Sequence, residues 1–121
     1  MSKRVLVIDD SPIVRNLHTV MMKSAGFSVD EAENGYDALE KALQANYDLM
    51  IVDINMPKMD GFTFCREIRA SQVHKDVPII IVSTEAEAED KMQGFQAGAN
   101  LYLVKPVKAE QLVENAKMLL G

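Results

Sequence analysis

The sequence predicts an α/β fold, a doubly wound five-stranded parallel sheet with helices on both faces and strand order 2-1-3-4-5. Three observations carry this. Short apolar runs alternate five times with stretches of helical periodicity. Most of the runs are apolar throughout rather than alternating, the pattern of strands buried on both faces. Parallel neighbours then need right-handed crossovers, which place helices above and below the sheet in a three-layer sandwich.

Each element has its own signals. Arg4-Val5-Leu6-Val7-Ile8 is a β-branched run closed by Asp9-Asp10. Ser11-Pro12 supplies an N-cap and a proline at the first helical position, and Ile13, Val14, Leu17 and Met21 recur at helical spacing up to Gly26. Phe27 to Glu31 is a short, less apolar second strand near a sheet edge, and Asn34-Gly35 leads into a helix with Ala38, Leu39, Ala42 and Leu43 inward. The third strand, Asp48 to Asp53, ends abruptly in a carboxylate; a helix with Phe64, Cys65 and Ile68 inward follows Asp60-Gly61. Pro78 to Val82 is a fourth strand running into Ser83-Thr84-Glu85, and a helix carrying Met92 and Phe95 stops at Ala97-Gly98. Leu101 to Val104 is the fifth strand, closed by Lys105-Pro106. The last helix puts Leu112, Val113, Ala116, Leu119 and Leu120 on one stripe, with Lys108 a poor N-cap.

With 121 residues the chain reads as one domain, 1–121, able to bury a core without staples. A hydrophobic share of 48% and a charged share of 26% exclude a disordered chain. The net charge of −5 disfavours binding to nucleic acid or to an anionic membrane. The lone cysteine, Cys65, excludes an internal disulfide and a cysteine-based metal site. Met1-Ser2-Lys3-Arg4 is followed by too few apolar residues for a signal peptide or a membrane span, so a cytoplasmic monomer is expected.

In this topology the carboxyl ends of strands one, three, four and five share a rim, which gathers Asp9, Asp10, Asp53, Ser83 and Lys105. Taken singly, the first two acids read as helix caps, Asp53 as a turn or helix cap, Ser83 as a turn former and Lys105 as a surface lysine. Their ordered appearance at four strand ends favours a site. Three converging carboxylates repel one another. A hard divalent cation relieves that, and oxygen ligands with retained waters suit Mg²⁺. An ionised Asp53 is then a nucleophile able to form an acyl phosphate, with Lys105 neutralising charge and Ser83 donating to a phosphoryl oxygen.

Over its whole length the chain resembles the receiver domains of two-component response regulators, and among them the single-domain, CheY-like chemotaxis branch on its flavodoxin-like fold. The resemblance rests on Val7-Ile8-Asp9-Asp10-Ser11, Val52-Asp53-Ile54-Asn55-Met56-Pro57-Lys58-Met59-Asp60-Gly61, Val82-Ser83-Thr84-Glu85, Ala97-Gly98-Ala99 and Tyr102-Leu103-Val104-Lys105-Pro106. It implies a switch that catalyses its own phosphorylation and dephosphorylation: Asp53 accepts a phosphoryl group from a histidine kinase, and Asp9, Asp10, Asp53 and the Asn55 carbonyl hold Mg²⁺. It implies that Ser83 and Tyr102 form the switch, with the Tyr102 ring rotating inward on phosphorylation, and that Lys105-Pro106 is a cis bond. Ser83 stands where threonine is also common, Thr84 is larger than the usual small neighbour, and Val107 replaces a frequent phenylalanine. Asn55 and Glu85 match the chemotaxis pattern and imply a phosphoryl group lost quickly.

Partners are expected on the face of the last two helices and the fifth strand, around Phe95, Tyr102, Val107 and Lys108; Phe95 reads equally well as core. The downstream target is the flagellar motor switch in the chemotaxis reading, with a dedicated phosphatase as a further partner. Within receivers the alternative is a phosphorelay shuttle or phosphate sink. Two alternatives come from other classes. An aspartyl-phosphate phosphohydrolase would need an acid two residues after the nucleophile, where this chain has Asn55. A flavin module would need phosphate-binding donors after strand one, where this chain has two acids.

Overall fold

Strands and helices alternate without exception along the chain. The computed structural model describes residues 2–121; Met1, the first residue of the N-terminal stretch considered above, lies outside the described residues. The elements are β1 (Arg4–Ile8), α1 (Pro12–Ser24), β2 (Ser28–Ala32), α2 (Gly35–Gln44), β3 (Leu49–Val52), α3 (Gly61–Arg69), β4 (Ile79–Ser83), α4 (Ala88–Gln96), β5 (Leu101–Val104) and α5 (Ala109–Leu120). The five strands form one sheet in the order β2-β1-β3-β4-β5, and every pairing is parallel. Fold class and strand order are those expected, with strand limits displaced by a residue or so. Among the described residues no helix is long and apolar enough to cross a membrane.

Side chains of a strand alternate between faces, so an all-apolar strand feeds two cores. Leu6, Ile8, Met50, Val52, Ile79 and Ile81 pack on one side with Ala38, Phe64 and Ile68. Val5, Val7, Leu49, Ile51, Ile80 and Val82 pack on the other with Met22, Leu112 and Ala116. Truncating a buried ring such as Phe64 to alanine would cost about 3–5 kcal/mol. Cys65 lies within the first core, where burial pushes its thiol up to about 12, so it packs rather than reacts.

Three helix starts are fixed by side-chain caps. Ser11 Oγ accepts from Val14 N at 3.3 Å, Asn34 Oδ1 from Asp37 N at 2.8 Å, and Asp60 Oδ1 from Thr63 N at 2.8 Å. The helices α4 and α5 begin at Glu87 and Lys108 with no such bond.

Two helix faces differ from the expected stripes. Ile13 and Leu17 are exposed, and α1 instead buries His18, Thr19 and Met22. On the sheet-facing side Arg15 also donates to Glu31 Oε1 and to the Asp9 carbonyl, a polar contact that apolar spacing does not count. On α2, Leu43 is exposed while Gly35 and Ala38 are buried. At 100° per residue Leu43 lies about 80° round from Gly35, off the packed stripe.

Candidate functional site

Register places the acids. Ile8 pairs with Val52, so the next residues, Asp9 and Asp53, leave neighbouring strands side by side. Asp53 N donates to Ile8 O at 2.9 Å, and Asp9 N donates to Ala32 O at 3.1 Å, which fixes both backbones at the rim. On the far side Ser83 pairs with Val104, and Lys105 N donates to Ser83 O at 2.7 Å. The Lys105–Pro106 peptide is cis.

The Lys105 ammonium lies between two carboxylates, donating to Asp9 Oδ2 at 2.8 Å and Asp53 Oδ1 at 3.2 Å. One oxygen from each of Asp9, Asp10 and Asp53 falls within 4.8 Å of the others. Asp9 is 2% exposed and Asp53 6%, while Asp10 faces solvent. Burial, reinforced by the Asp9 charge and opposed by Lys105, pushes Asp53 up to about 6. Burial alone would lower Lys105; the Asp9 hydrogen bond and the charges of Asp53 and Asp9 outweigh it, and its pKa is raised. One lysine therefore leaves the acids under-compensated. Three hard oxygen donors with residual repulsion fit a divalent cation such as Mg²⁺ better than a softer metal.

The loop after β3 bends tightly around Asp53. Met56 N donates to Ile54 O at 3.0 Å and Met59 N to Pro57 O at 2.8 Å, and Lys58 takes a φ of 72°. Gly61 lets α3 start against this loop: its N–H donates to Ile54 O at 2.9 Å, and a Cβ there would collide with the Asp53 carbonyl.

Ser83 is fully buried, and its Oγ accepts from Glu85 N at 3.1 Å. The Tyr102 ring lies inside, its hydroxyl donating to Glu85 O at 2.7 Å. Burial raises the Tyr102 pKa, with the Ser83 hydroxyl acting in the opposite direction. Gly94 makes room for this ring; a Cβ would stand 2.9 Å from Tyr102 Cδ2. Asn55 is exposed, and its side-chain amide donates to Glu85 Oε1 at 3.2 Å across the mouth of the crevice.

Of the expected partner-surface residues, Phe95 is half exposed and Lys108 is exposed. Val107 and Tyr102 are buried in this conformation. Val107 is 6% exposed and packs with Val82, Leu112 and Ala116. Tyr102 is buried beneath α4, so little of its ring is offered to a partner in this conformation.

The sequence reading overlooked three residues bordering the acids. Arg15 joins Asp9 to Glu31, and His18 is buried with its pKa lowered by burial, Asp9 opposing and Lys105 reinforcing the shift. Only spacing hinted at Arg15, which sits one helical turn past the Ser11 cap.

An acid-lined rim at the switch point of this sheet, with a lysine reaching across it, is the arrangement expected of a response regulator receiver domain. The sequence matches the response regulator receiver domain family over residues 5–117, and the chain belongs to that family. It is 40% identical over 117 residues to the transcriptional regulatory protein ResD of Bacillus subtilis, covering 97% of this chain and 48% of ResD. It is 44% identical over 102 residues to a gliding motility regulatory protein of Myxococcus xanthus, covering 84% of this chain and 13% of that protein. The chain thus spans half or less of these curated relatives. Among solved structures, the chemotaxis protein CheY4 of Vibrio cholerae superposes with a TM-score of 0.94 at 36% identity, covering 98% of this chain and 99% of that one. TrrA of Thermotoga maritima, solved with Mg²⁺ and BeF, gives 0.86 at 38% identity over 97% and 98% of the two chains. The fold is the CheY-like, flavodoxin-type sandwich.

Proposed function

We propose that this domain is a phosphorylation-activated switch in which Asp53 accepts a phosphoryl group from the phosphohistidine of a histidine kinase. The observation that carries the reading is the placement of Asp53: nearly buried, 3.2 Å from Lys105 Nζ, and clustered with two further acids. An oxygen of Asp53 attacks phosphorus, the P–N bond breaks, and the imidazole leaves with a proton as the acyl phosphate forms. Lys105 keeps Asp53 ionised beforehand and meets the charge on the transferred group. Asp9, Asp10, Asp53 and the Asn55 carbonyl would hold Mg²⁺, which supplies positive charge opposite Lys105 when bound; the Mg²⁺ in TrrA supports this. Ser83 and Tyr102 form the switch, the inward Tyr102 ring belonging to the state that phosphorylation favours.

The signal leaves through protein contact at α4, β5 and α5, where Phe95 and Lys108 are available. Likeness to CheY4 supports a chemotaxis output through the flagellar motor switch, whereas likeness to ResD supports a transcriptional setting. Incubation with Mg²⁺ and a small acyl phosphate, followed by mass mapping, tests the acceptor. Wild type gains one phosphoryl group on the peptide containing Asp53, and Asp53→Asn gains none. Full labelling of the variant would move the acceptor elsewhere. Titration of phosphorylated protein against a flagellar switch peptide separates the outputs; equal affinity with and without phosphoryl counts against chemotaxis.

A further inference from the structure

We infer that Arg15, braced by Glu31, is a positioning residue that sets the cation affinity of the acid cluster by holding the Asp9–Asp10 peptide in place. This rests on the reading that the cluster takes a divalent cation. The three acids are not held alike. Asp9 is fixed through its side chain, with Oδ1 accepting from Ser11 N at 3.0 Å and Oδ2 from Lys105 at 2.8 Å. Asp53 is held by Lys105 and by its own N–H on β1. The Asp10 carboxylate is exposed and makes no hydrogen bond among the described residues. What aims it into the cluster is the orientation of the peptide that precedes it.

That peptide carries the Asp9 carbonyl, and Arg15 Nη1 donates to this oxygen at 2.9 Å. The same guanidinium donates through Nε to Glu31 Oε1 at 2.9 Å. Glu31 stands on β2 opposite Val7, and the next residue of β2, Ala32, accepts from Asp9 N. The turn is thus gripped twice from β2, directly at Asp9 N–H and through Arg15 at Asp9 C=O. A planar fork suits this task, since two donors at a fixed angle orient both partners.

Charge and geometry make opposite predictions for this residue. As a nearby positive charge, Arg15 repels a cation, and its removal would tighten binding. As the holder of the Asp9–Asp10 peptide, its removal frees Asp10 and weakens binding, and loss of a supporting contact of this kind costs about 10- to 100-fold in metal affinity. The positioning role requires the second sign.

The experiment is calorimetric titration of Mg²⁺ into the unphosphorylated protein, for wild type, Arg15→Ala, Arg15→Lys and Asp10→Asn. Each protein is also melted in chelator to track the fold separately. Arg15→Ala is expected to bind Mg²⁺ about tenfold more weakly. Arg15→Lys keeps the charge but loses the fork, and is expected to fall between Ala and wild type. If Arg15→Ala does not fold, Arg15→Lys decides. Affinity unchanged or tightened in the folded Arg15 variants, even with a lowered melting temperature, would overturn the proposal and leave Arg15 a structural ion pair. Absence of Mg²⁺ binding to wild type would instead defeat the cation reading beneath it.

Discussion

The two ends of the sheet handle their charged groups in opposite ways. At the amino end, charges are matched. Arg4 pairs with Asp30 at 2.9 Å, the Tyr47 hydroxyl donates to Asp30 at 2.7 Å, and Arg4 lies 5.6 Å from the centre of the Tyr47 ring. Beside them the buried His74 accepts from Tyr47 N through Nε2 at 3.1 Å, and burial holds its pKa below the usual value. At the carboxyl end, three carboxylates cluster around one lysine that bonds two of them, and burial pushes Asp53 up to about 6. A scaffold can neutralise its charges internally; under the proposed function, this site would receive a cation and a phosphoryl group and cannot. On that proposal the imbalance serves function at a cost in stability.

Lys105→Met breaks this contrast most severely. It leaves two nearly buried carboxylates without their shared cation, and loss of one partner of a buried pair costs about 3–5 kcal/mol. Denaturant unfolding in chelator should show a loss of about 3 kcal/mol at pH 7. Excess Mg²⁺ should recover much of it while leaving phosphoryl uptake slow. A loss equally large with and without Mg²⁺ would place the role of Lys105 in packing rather than charge.

Asp53→Asn runs the other way. The folded pKa is raised from 3.8 to about 6, so the protonated form is favoured in the folded state. Stability tied to this group is full below the unfolded pKa of 3.8 and lost as pH rises through about 6. Each pKa unit corresponds to about 1.4 kcal/mol, so the metal-free variant should be more stable by about 3 kcal/mol at pH 7. The gain should shrink toward zero near pH 4. A variant no more stable than wild type at pH 7 would show that Lys105 already offsets the repulsion.

His74 gives the opposite pH signature at the other rim. With its folded pKa depressed, its contribution is full above the unfolded value of 6.5 and falls away as pH drops through the folded pKa. Protonation would also turn Nε2 from acceptor to donor against the Tyr47 N–H. The groups around it are the Tyr47 ring, with centroids 6.1 Å apart, and behind it Asp30 and Arg4. His74→Gln keeps an acceptor without a titration. It should flatten the loss of stability below pH 6.5, to which His18 also contributes. An unchanged pH profile would assign the acid sensitivity to His18.

The contrast between the rims also explains what the sequence disclosed. Strand order and the acid, hydroxyl and lysine positions were legible because each follows an apolar run, and a run that ends in Asp9, Asp53, Ser83 or Lys105 marks its own boundary. The matched rim was invisible because its partners, Arg4, Asp30, Tyr47 and His74, are up to tens of residues apart and carry no local pattern. Helix rotation failed for a related reason. Apolar spacing pointed Ile13 and Leu17 inward, but the inward face of α1 is partly polar, with Arg15 bonded to Asp9 and Glu31 and His18 and Thr19 buried. Val107 was expected on the partner face; its packing against Val82, Leu112 and Ala116 carries no local sequence pattern.

The mildest way to test the contrast is at the surface of the matched rim. Arg4→Ala removes the Asp30 ion pair, whose side chains are 47% and 33% exposed, together with the contact over Tyr47. Exposed pairs contribute about 0–1 kcal/mol, so unfolding should shift by about 0.5 kcal/mol, less at high salt. Mg²⁺ affinity and phosphoryl uptake should not change, since Arg4 opens β1 and the acids close it. A drop in either would mean that β1 passes strain from one rim to the other, and the two ends could no longer be treated as independent.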